Sequence, residues 1–337
     1  MKAILLVGGE GTRLRPLTET IPKPLVPLVD RPFLGHVLDH LSRHGVEEVL
    51  LSSPYLEGVF EAFLARRRSG PAVTWVAEPI PLGTGGATAN AARTLRETFL
   101  VLNGDILTDM DLSALLADHR ARGAMATIAL SRVDDARQYG LVTADEAGRV
   151  LEFREKPVDP TPGLVNVGTY VLEPEAVAGV PTDRSVSIER EVFPGLIDSG
   201  ATVHAFVSHG YWMDLGTPEN YLQATFDALE GKIEGLSYAA PHIDPSAEIS
   251  LRSHLGRWVV AGPGARIGGD AEVEDSVLLA GAVVADRAKV RESIMGPGAV
   301  VGTDSTVQGA VLAEGAAIPP GMSVEGVRVS AGRILEA

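Results

Sequence analysis

Five charged side chains sit in settings that suit phosphate chemistry: Arg13, Lys23, Asp105, Lys156 and Asp214. The run Val7-Gly8-Gly9-Glu10-Gly11-Thr12-Arg13-Leu14-Arg15-Pro16-Leu17 places glycines directly after an apolar stretch. Such a turn lets backbone N–H groups close on a phosphate, and the adjacent arginine adds charge-assisted hydrogen bonds. It matches neither of two common phosphate loops: Leu14 stands where G-x-G-x-x-G needs its third glycine, and the Gly-Lys-Ser/Thr ending of a P-loop is absent. Lys23 lies between two prolines, Asp105 follows Asn103-Gly104, and Lys156 falls within Glu155-Lys156-Pro157. Taken singly, each has a plainer use. Lys23 reads equally as a solvated loop lysine, Asp105 as a turn residue, Asp214 as a cap before Thr217, and Glu155-Lys156 as a surface pair worth under about 1 kcal/mol.

Their order along the chain narrows the choice. Ile21-Pro22-Lys23-Pro24-Leu25, Glu78-Pro79-Ile80-Pro81-Leu82-Gly83-Thr84-Gly85-Gly86, Asn103-Gly104-Asp105, Glu155-Lys156-Pro157, Asn166-Val167-Gly168-Thr169 and Gly210-Tyr211-Trp212-Met213-Asp214-Leu215-Gly216-Thr217-Pro218 follow one another. With these segments the chain resembles the sugar-1-phosphate nucleotidylyltransferases (NDP-sugar pyrophosphorylases) over its whole N-terminal domain. It is also similar to their long form with a C-terminal left-handed β-helix, notably the GDP-mannose pyrophosphorylase group, on Ser187-Ile188-Glu189-Arg190-Glu191-Val192-Phe193-Pro194. Gly83-Thr84-Gly85-Gly86-Ala87 and Phe153-Arg154-Glu155-Lys156-Pro157 look equally like the manno-heptose-1-phosphate guanylyltransferases.

The resemblance implies that a nucleoside triphosphate and a sugar 1-phosphate give an NDP-sugar and pyrophosphate. A sugar phosphate oxygen attacks the α-phosphorus in line, and catalysis is mostly positioning and neutralisation of charge. By resemblance, Leu6, Gly8, Gly9, Gly11, Thr12, Arg13, Glu78, Gly83, Thr84 and Asp105 bind the nucleotide, with Arg13 and Lys23 on the triphosphate and α-phosphate. Asp105 and Asp214 are expected to share Mg²⁺, a hard cation that takes one or two carboxylates plus phosphate oxygens. Lys156 would grip the sugar phosphate and Glu155 accept from sugar hydroxyls, while Asn166, Gly168 and Thr169 line the sugar pocket and Gly140 allows close approach.

Glu78 stands five residues before Gly83, in the loop with which the family reads the base. A carboxylate accepts from both N1–H and the 2-amino group of guanine, whereas thymine and uracil offer one N–H on that edge. GTP is therefore the favoured nucleotide, the other readings being that the backbone of Gly8, Gly83 and Thr84 satisfies either base and that the glutamate is aimed at a helix N-terminus. Mannose 1-phosphate is the expected acceptor, with a heptose or cyclitol phosphate as further options. A dTTP-using glucose-1-phosphate thymidylyltransferase of the long form is the alternative.

Elements that could carry these residues are written in the hydrophobic periodicity. Up to about residue 228, strand runs alternate with helical patterns, as in a Rossmann-like, mostly parallel α/β sheet. Strands are expected at Ala3–Val7, Glu48–Ser52, Val73–Ala77, Phe99–Asn103, Ala126–Ser131, Val150–Glu155, Asn166–Leu172 and Thr202–Val207. Helices are expected at Phe33–His44, Leu56–Arg68, Gly86–Leu95, Leu112–Arg122 and Ser187–Ser199, and a last one opens at Thr217-Pro218-Glu219. His36, His40 and His44 share one helix face without a carboxylate pattern, and Trp212 reads as packing rather than base stacking.

After residue 240 the chain repeats itself. Gly264-Ala265-Arg266-Ile267, Gly281-Ala282-Val283-Val284, Gly298-Ala299-Val300-Val301 and Gly315-Ala316-Ala317-Ile318 recur every 17 residues. Val273, Val290, Val307 and Val324 form a second ridge, and Val277, Ile294 and Val311 a third. Three ridges per turn describe a hexapeptide-type parallel β-helix of about four coils. The expected domains are a catalytic domain over 1–228, a linker over 229–240 and a left-handed β-helix over 241–337. Val327, Val329, Ile334 and Leu335 follow the last coil without a polar cap, so that end is expected to be covered by the chain's own C-terminus, by the catalytic domain or, the favoured reading, by a second subunit in a homo-oligomer. A cut near Gly235 should then leave transferase activity.

Composition closes off other classes. The 337 residues hold no cysteine, which excludes disulfides, thiolate zinc and a cysteine nucleophile. A formal net charge of −15 argues against nucleic-acid binding. Met1–Val7 is too short an apolar run for a signal peptide, and no run of about eighteen apolar residues follows. A cytoplasmic protein without membrane contact is expected. An acyltransferase β-helix would need a histidine base, and the repeats hold only His242 and His254, both at their start.

Overall fold

The computed structural model describes residues 1–54 and 57–336, and they fall into two compact units. One holds residues 1–9 and 37–212, the other residues 10–36 and 213–337. The chain thus leaves the first unit just after Gly8-Gly9 and returns at Val37.

The first unit is a nine-stranded sheet with helices. Lys2–Leu6 lies between Glu48–Ser53 and Phe99–Asn103, parallel to both, with Ile4 opposite Leu50 and Val101. Near-continuous aliphatic runs are what strands covered on both faces require, and Ile4, Leu5, Val49, Leu51, Phe99 and Val101 are fully buried. Gly163–Leu172 then runs antiparallel to Phe99–Asn103, so the far half of the sheet is mixed. Its core is fixed by Phe193, whose ring meets Tyr170 edge-on at 5.0 Å.

Most elements fall within two residues of the sequence expectation, and the departures have local causes. The helix expected from Gly86 begins at Gly83, because the carbonyl of Val186 takes the otherwise unpaired N–H groups of Gly85 and Gly86 at 2.8 and 3.2 Å. The single helix expected over Ser187–Ser199 is a π-turn at Ile188–Val192 followed by an α-helix at Phe193–Asp198. Pro194 has no N–H to continue the first ladder and sits instead in the opening turn of the second. Strand Gly140–Ala144 went unread, being short and glycine-led. The start of the second expected helix, Leu56, lies outside the described residues; the helix spans Glu57–Leu64.

In the second unit, Pro218–Leu229 is capped as expected, the Thr217 hydroxyl accepting from the Asn220 N–H. The C-terminal region forms three parallel sheets of six, five and five strands, consistent with a left-handed β-helix. Partners lie 18 residues apart at the first step and 17 thereafter, as in Val283 with Val300 and Val290 with Val307. The first rung, carrying His242, Glu248 and His254, brings the count to five rungs rather than about four. The third ridge is shifted by one residue: Leu278, Met295 and Leu312 enter the interior cluster, while Val277, Ile294 and Val311 point outward and are buried as well. Three of the four C-terminal apolar residues are also accounted for, while Ile334 is 66% exposed. Val329 joins the core, Val327 and Leu335 pack on it, and the Leu335 N–H donates to the Ala317 carbonyl at 2.9 Å. The chain's own end therefore covers part of the surface assigned to a second subunit. Among the described residues no helix is long and apolar enough to cross a membrane.

Histidine 40 gives a pH signature. Burial first, and the neighbouring His44 second, push its pKa down to about 4, and its Nε2 is buried without a partner. The unfolded chain takes up this proton near pH 6.5 but the folded chain only near 4, so stability is lost as pH falls across that window. Between pH 7 and 4 the His40 contribution should fall by about 3 kcal/mol. Urea unfolding of wild type and His40→Leu checks this: the variant loses less stability on acidification, and equal losses contradict the assignment.

Candidate active site

In the second unit three predicted residues meet. The glycine-rich turn continues into 3₁₀ turns at Thr12–Leu14, Leu17–Glu19 and Lys23–Leu25. Gly11 has φ +60°, and a Cβ there would stand 3.2 Å from both Lys23 Cβ and Thr18 Cγ2, so the turn needs glycine twice over. Arg13 Nη2 donates to Asp214 Oδ2 at 3.0 Å, and Lys23 Nζ to Asp214 Oδ1 at 3.3 Å. Gly216, two residues after Asp214, lies against the Arg13 guanidinium. Asn220 fixes the strand end by donating to the Asp214 carbonyl at 2.7 Å. Two cations on one carboxylate leave a net positive charge, and Arg13, whose side chain is 58% exposed, can swing to an incoming phosphate. Lys23 is 9% exposed and Asp214 is its charge partner, so the solvated-lysine reading is set aside.

Gly11 and Thr12 also lie in the second unit, and the first unit carries the remaining predicted residues. Leu6, Gly8, Gly9 and Asp105 lie at the C-terminal ends of adjacent parallel strands, where α/β sheets place ligands. Gly8 and Gly104 are required by packing: a Cβ would stand 2.8 Å from Pro54 Cδ in one case and 2.7 Å from the Leu6 carbonyl oxygen in the other. Glu78 is buried, its Oε1 accepting from Ser52 Oγ at 3.0 Å and its Oε2 from the Leu82 N–H at 3.1 Å. The helix-start reading is thus realised, and each oxygen keeps a second lone pair for another donor. The Thr84 hydroxyl is engaged inside the protein, donating to Glu189 Oε2 at 2.8 Å and accepting from the Ile188 N–H at 2.9 Å.

Around the expected sugar residues, Gly140 faces Phe153 and Glu155, whose atoms would lie 2.5 and 3.0 Å from a Cβ. Burial, and then the charge of Glu189, hold the Glu155 carboxyl above its ordinary value. Lys156 is exposed at φ +50°, a left-handed backbone unusual for a lysine, with its N–H on the Tyr139 carbonyl at 2.9 Å. Asn166 donates to the Tyr170 hydroxyl at 2.8 Å and accepts from the Gly168 N–H at 2.9 Å. Thr169 is 1% exposed, and its buried hydroxyl has no partner. Trp212 is packing: its Nε1 donates to the Val167 carbonyl and its ring meets Tyr139 edge-on at 5.0 Å.

Sequence reasoning gave Glu189 no role of its own. Its carboxylate takes Thr84, Ser187 at 2.7 Å and the Tyr170 hydroxyl at 3.4 Å, joining the expected nucleotide loop to the expected sugar residues. The available signal was the spacing Ser187 to Glu191: Glu191 Oε1 accepts from the Ser187 N–H at 3.1 Å while the Ser187 hydroxyl accepts from Arg190, a capping box stretched by the π-turn.

Residues 2–231 match the nucleotidyl transferase family and residues 239–336 the GMPPB C-terminal domain. The chain belongs to the nucleotidyl transferase family. Over 298 residues this nucleotidyl transferase is 40% identical to a mannose-1-phosphate guanylyltransferase of Mycobacterium tuberculosis, covering 85% of this chain and 83% of that one. It is 36% identical over 294 residues to mannose-1-phosphate guanylyltransferase 1 of Arabidopsis thaliana, covering 84% and 81%. Among solved structures, HddC from Yersinia pseudotuberculosis complexed with GMP-PN superposes with TM-score 0.59 at 30% identity, covering 66% of this chain and 97% of that one. The expected enzyme class and two-part architecture are borne out.

Proposed function

We propose that this nucleotidyl transferase joins GTP and mannose 1-phosphate, releasing pyrophosphate and GDP-mannose. The observation that supports this most is the Arg13–Asp214–Lys23 cluster, two cations held on one carboxylate beside a glycine turn. In this reading the incoming triphosphate takes over Arg13 as a bidentate fork, and buried Lys23 remains as a point charge for the α-phosphate. Lys156 meets the sugar phosphate, and Glu155 accepts from sugar hydroxyls. Both substrate names rest on the relatives' names and on Glu78.

Magnesium belongs to the same proposal. Asp105 is a half-buried carboxylate, and no group of three or more metal-ligating side chains occurs among the described residues. That donor set suits a hard cation which relies on one or two carboxylates and otherwise on phosphate oxygens. Asp105 would hold it; Asp214, the other expected ligand, here holds Arg13 and Lys23. When bound, the ion would neutralise triphosphate charge. Homo-oligomerisation and a cytoplasmic location also remain proposals.

Pyrophosphate release measured for four nucleotides against a panel of sugar 1-phosphates tests the substrate pair. For the base, a paired hydrogen bond to charged Glu78 is worth roughly 1.5–3 kcal/mol, or about 10- to 150-fold. Glu78→Gln should lower the GTP over dTTP preference within that range. An unchanged ratio accompanied by a lower unfolding midpoint would show that Glu78 only builds the loop.

A further inference from the structure

We propose that Arg328, in the last rung of the β-helix, is a positioning residue for the turn that carries Arg13; this rests on the reading of Arg13 as a triphosphate ligand. On the six-stranded face, His242, Val260, Val277, Ile294, Val311 and Arg328 stand in register, one per strand. The four aliphatic members are at most 3% exposed, although the coil interior is built from their neighbours Leu278, Met295 and Leu312. The outward side of this face is therefore covered. At the sixth and last strand of this face an arginine stands where a valine or isoleucine would continue the aliphatic run.

The guanidinium has a specific target. Arg328 Nη1 donates to the carbonyl oxygen of Arg15 at 2.8 Å and to that of Arg13 at 3.3 Å. Two residues on, Ser330 Oγ donates to Glu19 Oε1 at 3.1 Å and the Ala331 N–H donates to Glu19 Oε2 at 3.2 Å. Residues 328–331 thus hold both 3₁₀ turns, Thr12–Leu14 and Leu17–Glu19. Short 3₁₀ turns have poor hydrogen-bond geometry and little stability of their own. Fixing the Arg13 carbonyl fixes the backbone from which its side chain reaches Asp214, so the fork is pre-oriented before a phosphate arrives. Arg328 itself touches no substrate. The β-helix then does more than stack, and a cut near Gly235 removes this strut, so the transferase activity expected to remain should show weakened nucleotide use.

The test compares full-length wild type, Arg328→Ala, Arg328→Lys and Glu19→Ala. Arg328→Ala should raise the KM for the nucleoside triphosphate roughly tenfold, the loss expected for charged hydrogen bonds, with the KM for the sugar 1-phosphate within about twofold. Amide hydrogen exchange over residues 10–20 should quicken, while the unfolding midpoint stays unchanged. Arg328→Lys should recover part of the loss, since an ammonium can meet one carbonyl, and Glu19→Ala should shift the same parameters less. An unchanged triphosphate KM despite faster exchange overturns the proposal, as does an equal rise in both KM values with a fall in the midpoint. If wild type releases no pyrophosphate with any substrate pair, the transferase reading fails separately. Calorimetric binding of GTP alone then decides: weaker binding to Arg328→Ala supports the strut, and equal binding overturns it.

Discussion

Asp105→Asn is expected to lower turnover roughly a thousandfold, about 4 kcal/mol of transition-state stabilisation, with the folded state intact. The carboxylate sits at the C-terminal end of a central parallel strand and is only half-buried, so an isosteric amide keeps the packing while removing the charge. The backbone beside it is held independently, by the Gly104 N–H on the Leu6 carbonyl at 2.8 Å. Pyrophosphate release as a function of magnesium, alongside urea unfolding, checks both halves of the expectation. Near-normal turnover with wild-type magnesium dependence would remove Asp105 from the metal.

The second large effect separates stability from activity within one cluster. Asp214→Ala should abolish measurable transfer and also destabilise the chain by about 2–4 kcal/mol, because it strips the carboxylate from buried Lys23. Arg13→Ala should be nearly as inactive but lose under about 1 kcal/mol, since its side chain is 58% exposed and its ion pair is screened by water. Thermal unfolding and steady-state kinetics on both variants make the comparison. If the two destabilise equally, the buried lysine is not what Asp214 supports; if Arg13→Ala keeps its triphosphate KM, the guanidinium is not the phosphate fork.

Much of this architecture is legible in the sequence because the physics is periodic. A β-helix needs an inward aliphatic on each side at a fixed interval, and the 17-residue recurrence of Gly281-Ala282-Val283-Val284 shows it. The same periodicity fails on the third ridge. Val277 and Leu278 are both fully buried, one on each side of the sheet, so alternation carries no signal for which of them faces inward. The helix start at Gly83 is hidden for a related reason: it is set by one tertiary partner, the Val186 carbonyl. No local pattern encodes such a partner.

The candidate site divides in the same way. Residue types in order made Arg13, Lys23, Asp105 and Asp214 visible through family resemblance, whereas their pairing was not, since Arg13 and Asp214 are 201 positions apart. Glu78 was placed with both readings open, and the structure shows the helix-start role without removing the base-reading one. The burial of Thr169 is not legible, because alternation along Gly163–Leu172 gives way to burial of every residue from Val167 to Leu172. Arg328 carries no sequence signal except as the break in an aliphatic ladder.

The most direct test of the account is the specificity constant of the full-length chain for GTP with mannose 1-phosphate, set against dTTP and UTP with glucose 1-phosphate, with the nucleotide-sugar product identified chromatographically. The account predicts GDP-mannose and pyrophosphate in equal amounts and a preference for GTP of about 10- to 150-fold. Faster use of dTTP or UTP, with little GDP-mannose formed, would contradict it.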